Sequence, residues 1–198
     1  MPFVFKRLAL ILSIAAALAA DKETPFKALP AASYPAHQTS QQLTIAADPY
    51  TNPDKLKVAF GKLDPNEYGV LPVLVVVQND TNQTIRLSRM KVEYLGPNRE
   101  RIEATPARDV KYLRPPQKPN MIPGPGDKIK VLRGKKNPLD AWEIDGRAFA
   151  AQMLPPGNSA SGFFYFQTAM QSRAIIYVSG MTEAGSNKEI LYFEIPLP

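Results

Sequence analysis

Gly69 to Leu95 reads GVLPVLVVVQNDTNQTIRLSRMKVEYL, and the architecture of the chain works outward from it. Every residue from Val73 to Val77 is Leu or Val. So short an apolar, β-branched run predicts a strand covered on both faces, which is how a sandwich core behaves. Asn79-Asp80-Thr81-Asn82 collects short polar side chains that bond to local backbone and tolerate turn dihedrals, so the chain is predicted to reverse there. A second run then answers the first as the other half of a hairpin. In it Ile85 and Leu87 share one parity while Met90, Val92 and Tyr94 share the other, so the period of two breaks at Ser88-Arg89. A β-bulge at that point would restore a single buried face. Gly96-Pro97-Asn98 marks the next turn, and Arg101 to Ala104 extends the meander.

The bulk numbers suit that reading. At 198 residues with 20 prolines, the chain holds one domain of many short elements separated by turns. Lys6 and Arg7 precede an apolar run from Leu8 to Ala20, and Ala17-Leu18-Ala19 offers the small residues a signal peptidase needs. Residues 1–20 therefore read as a secretory signal cleaved near Ala19, leaving a periplasmic or extracellular protein; a retained N-terminal anchor is the alternative. The run is shorter than the roughly 20 residues that span a bilayer. The chain has no cysteine, which excludes disulfides, thiolate catalysis, thiolate metal sites and a lipoprotein anchor. Without Lys6 and Arg7 it carries 22 basic and 18 acidic residues.

Residues 21–40 hold Pro25, Pro30 and Pro35 with few large apolar residues, and read as a semi-extended spacer before a domain over 41–198. Leu43 to Ala47 and Leu56 to Phe60 are candidate strands flanking the turn-rich 48–53. Thr105-Pro106 has the form of a helix cap followed by proline, opening a short helix through Leu113. Arg114 to Gly126 contains five prolines and two glycines and predicts an irregular surface crossover. Lys128, Lys130 and Arg133 alternate with Ile129 and Val131 as a half-buried strand. Asn137-Pro138 repeats the cap-then-proline signal for a helix through Trp142 to Asp145. After the turn at Leu154 to Asn158, the runs Ser161 to Gln167, Ala174 to Ser179 and Glu189 to Ile195 are β, the last two joined through Glu183 to Asn187.

A Val-rich strand ending in Gln78-Asn79-Asp80, a second strand to a Gly96 turn, and Leu154-Pro155-Pro156-Gly157 before Gly162-Phe163-Phe164-Tyr165-Phe166 form a pattern. It resembles the immunoglobulin-like domains of unknown function in exported bacterial proteins, a group similar in fold to the secreted mycobacterial immunoprotective antigen type. The resemblance covers Leu43 to Leu197. It implies an all-β, immunoglobulin-like antiparallel β-sandwich with one or two short helices in its connections, outside the cytoplasm and without a known catalytic site. The Arg114 to Asn137 insertion departs from the simplest pattern.

Catalytic constellations are scarce. His37 is the only histidine and falls in the spacer, where a Ser-His-Asp triad has nothing to hold it. One histidine also excludes imidazole metal clusters. Ser88-Arg89-Met90-Lys91 matches a Ser-x-x-Lys pattern, but on a strand and without its companion motifs. Gly124-Pro125-Gly126-Asp127-Lys128 has the wrong spacing for a phosphate loop, and Pro125 lacks the N–H a cradle uses. Asp140, Glu143 and Asp145 share a helical face that could approach a hard cation, and read as a solvated acidic face. Two glycosylation sequons, Asn79-Asp80-Thr81 and Asn82-Gln83-Thr84, are explained by turn chemistry. No catalytic, cofactor-binding or metal residue is assigned, and no enzyme activity.

Charge is the feature with functional weight. Arg86 to Lys136 holds 14 Lys or Arg against five acids, whereas Pro138 to Pro198 holds three against six. Arg114, Lys118, Lys128, Lys130, Arg133, Lys135 and Lys136 form a candidate anion-binding segment. Export and the lack of interleaved aromatics argue against nucleic acid; anionic envelope lipid or acidic polysaccharide suits the compartment. The plain structural explanation is that lysines on an edge strand prevent sheet-to-sheet aggregation. The expectation is a non-catalytic envelope binding or structural module. The alternative is a protein-protein interaction module that captures another envelope protein through the Pro-rich loop or an exposed sheet edge.

Overall fold

The computed structural model describes residues 26–113 and 137–198. Along the chain run a 3-10 turn (Ala31–Ser33), β1 (His37–Ser40), β2 (Leu43–Pro49), α1 (Pro53–Phe60), a second 3-10 turn (Pro65–Tyr68) and β3 (Leu71–Asn79). Then come β4 (Ile85–Arg86), β5 (Lys91–Leu95), β6 (Arg101–Glu103), α2 (Ala107–Val110) and α3 (Trp142–Gly146). The last part holds β7 (Met153–Leu154), β8 (Ser159–Phe166), β9 (Ile175–Ser179), β10 (Thr182–Glu183) and β11 (Phe193–Pro196).

The described strands form two antiparallel sheets of four, ordered β1-β2-β3-β8 and β11-β9-β5-β6, and a small third one ordered β10-β4-β7. The two larger sheets stack as an all-β sandwich. Alternation along β3 decides which side chain goes where. Val73, Val75 and Val77 meet Val92, Tyr94, Ile176, Val178 and Phe193 between the sheets. Leu74 and Val76 point the other way, into a second core with Leu56 and Phe60 of α1, Val110 of α2 and Ile144 of α3. The first sheet is thus the middle of three layers, and the prediction that Val73 to Val77 is covered on both faces holds.

β8 places Phe163 and Tyr165 on the helix side and Phe166 between the sheets. Its outer edge is closed by loops. Phe163 N–H donates to Arg147 O at 2.9 Å, Phe149 N–H to Phe163 O at 3.2 Å and Thr105 N–H to Tyr165 O at 2.7 Å. A Cβ on Gly162 would lie 2.3 Å from the Phe149 backbone, so only glycine lets that loop seal the edge.

Several expectations are corrected. The run after Asn79 does not return as a hairpin partner, since β3 pairs with β2 and β8. The parity break at Ser88-Arg89 is a turn closed by Met90 N–H to Leu87 O, not a bulge. It lets β4 and β5 enter different sheets and each bury its own apolar set. Leu56 to Phe60 is helix, not strand. Asn52 Oδ1 accepts the Asp54 and Lys55 N–H groups at 2.8 and 3.4 Å, Pro53 opens the first turn, and Leu56, Ala59 and Phe60 form the buried stripe. The spacer becomes structure well before residue 41, because Ala31, Tyr34 and Ala36 are buried and β1 joins the first sheet. There are three short α-helices among the described residues where one or two were anticipated.

Asn79 fastens the central strand to the turn at 154–158. Its Nδ2 donates to Gln83 O at 2.8 Å and Leu154 O at 2.9 Å, while Oδ1 accepts from Thr81 N–H and Oγ1 at 3.1 and 2.7 Å. The side chain is buried and fully bonded. As a glycosylation acceptor it is inaccessible.

Candidate functional site

All seven residues of the basic segment, Arg114, Lys118, Lys128, Lys130, Arg133, Lys135 and Lys136, lie outside the described residues, as do the strand expected at 128–133 and the leader. What is described is the place from which the segment leaves and to which it returns. Asn137 Nδ2 donates to Lys111 O just after α2, and Asn137 Oδ1 accepts the Leu139 N–H at 3.1 Å. Both flanks are therefore joined on the helical layer, beside the exposed Tyr112. The described residues carry 14 Lys or Arg and 15 Asp or Glu, whereas residues 114–136 carry seven basic residues against Asp127 alone.

On the helical side a cleft of about 690 Å³ is lined by Phe26, Leu29, Tyr34, Asp48, Tyr50 and Lys55, among others. Lys55 Nζ donates to both oxygens of Asp48 at 3.0 and 2.8 Å, tying α1 to β2. The Tyr50 ring meets Phe163 edge-on at 4.8 Å. Burial, then the Asp48 carboxylate, push the Tyr50 phenol far up, and burial raises Tyr34 as well. Both stay protonated near neutral pH. As neutral phenols they are not bases, and Tyr34 Oη accepts the Leu29 N–H at 3.0 Å.

A second cleft, about 310 Å³, opens where the edges of the two large sheets part, between β5, residues 103–107 and β8. Phe149 and Phe164 stack at 5.4 Å along it, and Lys91, Glu93 and Glu103 add polar groups. Met90, Val92, Ala104 and Phe163 supply carbon beside Thr105 and Tyr165.

The residues weighed for catalysis stay apart. His37 lies on β1 with Nδ1 donating to Tyr34 O at 2.6 Å. Ser88 is on the turn before β5 and Lys91 on the strand itself, not at a helix start. Glu143 and Asp145 are on α3 and Asp140 on the turn before it. Among the described residues no group of three or more His, Cys, Asp or Glu converges on a cation position.

Neither cleft was legible in the sequence. Phe26 and Tyr34 fall in the expected spacer, and Asp48 and Tyr50 in a stretch marked only by its turn residues. The available signal was the burial-prone Ala31 and Tyr34 between prolines.

No protein-family model matches the chain, and no curated protein matches it.

Proposed function

We propose that this chain is an exported, non-catalytic binding module of the cell envelope that contacts anionic lipid or acidic polysaccharide through residues 114–136. One observation supports the reading above others: the described residues are close to neutral, so the positive surplus of the chain is concentrated in one 23-residue segment with a single acid. Seven cations on such a segment gain by displacing counterions from a polyanion, a term that weakens steeply with salt. Export rests on the leader-like residues 1–20 and is part of the proposal. So is the immunoglobulin-like kinship, which draws support from the stacked antiparallel sheets. Among the described residues no helix is long and apolar enough to cross a membrane.

The test compares the chain with a variant in which Arg114, Lys118, Lys128, Lys130, Arg133, Lys135 and Lys136 are Gln. The parent is expected to stay on phosphatidylglycerol vesicles or an acidic polymer at low salt and to elute as salt rises. Equal retention of the variant would sink the reading. The interaction-module reading draws on the sheet edges, β6 among them, which among the described residues pairs with β5 alone. That edge is three residues long and bears Arg101 and Glu103, a combination that discourages strand addition.

A further inference from the structure

We infer that a concavity at one end of the β11-β9-β5-β6 sheet binds the phosphate group of a small organic phosphate ester. Antiparallel register sets Arg101 of β6 opposite Leu95 of β5, and Leu95 opposite Ile175 of β9. Directly opposed residues share a face, so these three lie together on the outer surface at that end. The turns at the same end supply Pro97, Arg99 and Arg173. With Glu194 of β11 they line a space of about 460 Å³. Its carbon comes from Leu95, Pro97 and Ile175, and three of its lining residues are arginines.

The backbone gives this grouping its weight. Arg99 and Arg173 have φ of 64° and 62°, a region where an L-residue is sterically disfavoured and glycine or asparagine is the ordinary occupant. Two turns of one sheet end each place arginine there. Turn geometry alone would be better served by glycine, as it would at Gln41 and Gln42, which share the sign of φ; what sets Arg99 and Arg173 apart is that both line one concavity. Among the described residues neither guanidinium makes a hydrogen bond or ion pair.

Arg101 is held in place. Its Nη1 donates to Glu93 Oε2 at 3.0 Å and its guanidinium lies 5.0 Å over the Tyr177 ring. Glu100, the other carboxylate of the β5–β6 turn, accepts the Asn98 N–H at 3.1 Å and is engaged with backbone.

Arg99 and Arg173 bring to this concavity two guanidiniums without partners among the described residues, and their forked donors match phosphate oxygens. The phosphate of a monoester offers three free oxygens, enough to accept from both of these forks and from the donors that Arg101 keeps beside its bond to Glu93; a carboxylate offers two. The carbon-lined floor receives the ester's organic portion, and Glu194 disfavours a second anionic group while accepting from a hydroxyl. This site lies on residues distinct from 114–136 and does not depend on the polyanion reading.

The experiment is an NMR titration of the full chain with phenyl phosphate. Amide shifts are expected at 95–101 and 173–175, with weaker binding of inorganic phosphate. The decisive variant is R99G/R173G. Glycine accepts the positive φ, so Tm is expected to hold or rise while phenyl phosphate affinity falls about tenfold or more from the loss of two charged donors. Unchanged affinity in that variant, or shifts elsewhere on the protein, overturns the proposal. The seven-Gln variant is expected to keep its phenyl phosphate affinity, which separates failure of one reading from failure of the other. A second arm uses phosphatidylcholine vesicles with and without phosphatidic acid. Arginine-dependent binding to vesicles identifies a lipid headgroup as the source, binding to the soluble ester alone identifies a free metabolite, and binding to neither overturns the inference.

Discussion

Gln41 and Gln42 close the β1–β2 hairpin in a two-residue loop, since Ser40 pairs directly with Leu43. Both have positive φ, 49° and 60°, as a type I′ turn requires to match strand twist. Glutamine gains nothing there that Asn-Gly would not supply with less steric conflict. Q41N/Q42G is expected to stabilise the protein by about 1 kcal/mol in urea unfolding at unchanged m-value; a loss of stability would mean that the two side chains make contacts that outweigh the strain. Asn79 lies at the opposite extreme, a side chain whose four hydrogen bonds are all internal. N79A leaves the Gln83 and Leu154 carbonyls short of a donor and is expected to cost about 2–4 kcal/mol. A cost near zero in the same assay would show that water replaces the amide.

Between elements, Tyr165 couples β8 to α3 by donating its hydroxyl to Ile144 O at 2.8 Å. Burial first, and Asp145 second, push its pKa well up. The folded phenol therefore keeps its proton where the unfolded one loses it. Stability from this group is whole below the ordinary tyrosine pKa of about 10 and is lost as pH rises past it. Y165F is expected to cost about 1 kcal/mol at pH 7 and to shrink the decline between pH 9 and roughly 11, with Tyr50 responsible for part of what remains. Parallel declines in parent and variant would contradict the assignment. Elements are also where the sequence is unevenly legible. β3 declares itself because both its faces are apolar, and no polar position interrupts the run from Leu71 to Val77. α1 does not, because Leu56, Val58 and Phe60 alternate as a strand would, while the helical stripe uses the less conspicuous Ala59. Yet Asn52-Pro53 carries the cap-then-proline signal that predicts helices after Pro106 and Pro138, and giving it equal weight corrects the assignment. The arginine concavity has no such local signal. Arg99 and Arg101 share a concavity with Arg173 because β5 pairs with β9, and strand order is not written in any one stretch of chain.

At the scale of the whole molecule, the described elements on either side of residues 114–136 already meet one another. α2 and α3 bury Val110, Leu139 and Ile144 through residues on either side of the segment, and Lys111 and Asn137 are already in contact. Replacing the 23 residues with a Gly/Ser linker of about six shortens the loop to be closed and lowers its entropic cost by about 1 kcal/mol. Such a variant is expected to fold with equal or slightly higher Tm, to lose its basic character and to pass through the acidic polymer unretained, while still binding phenyl phosphate. Charge and fold would then be separable properties of the chain. A variant that unfolded would show instead that the segment packs on the helical layer and is part of the core's support. Retention with the fold intact would move the polyanion contact onto the sandwich itself, where the arginines of the second sheet are the cations to remove next.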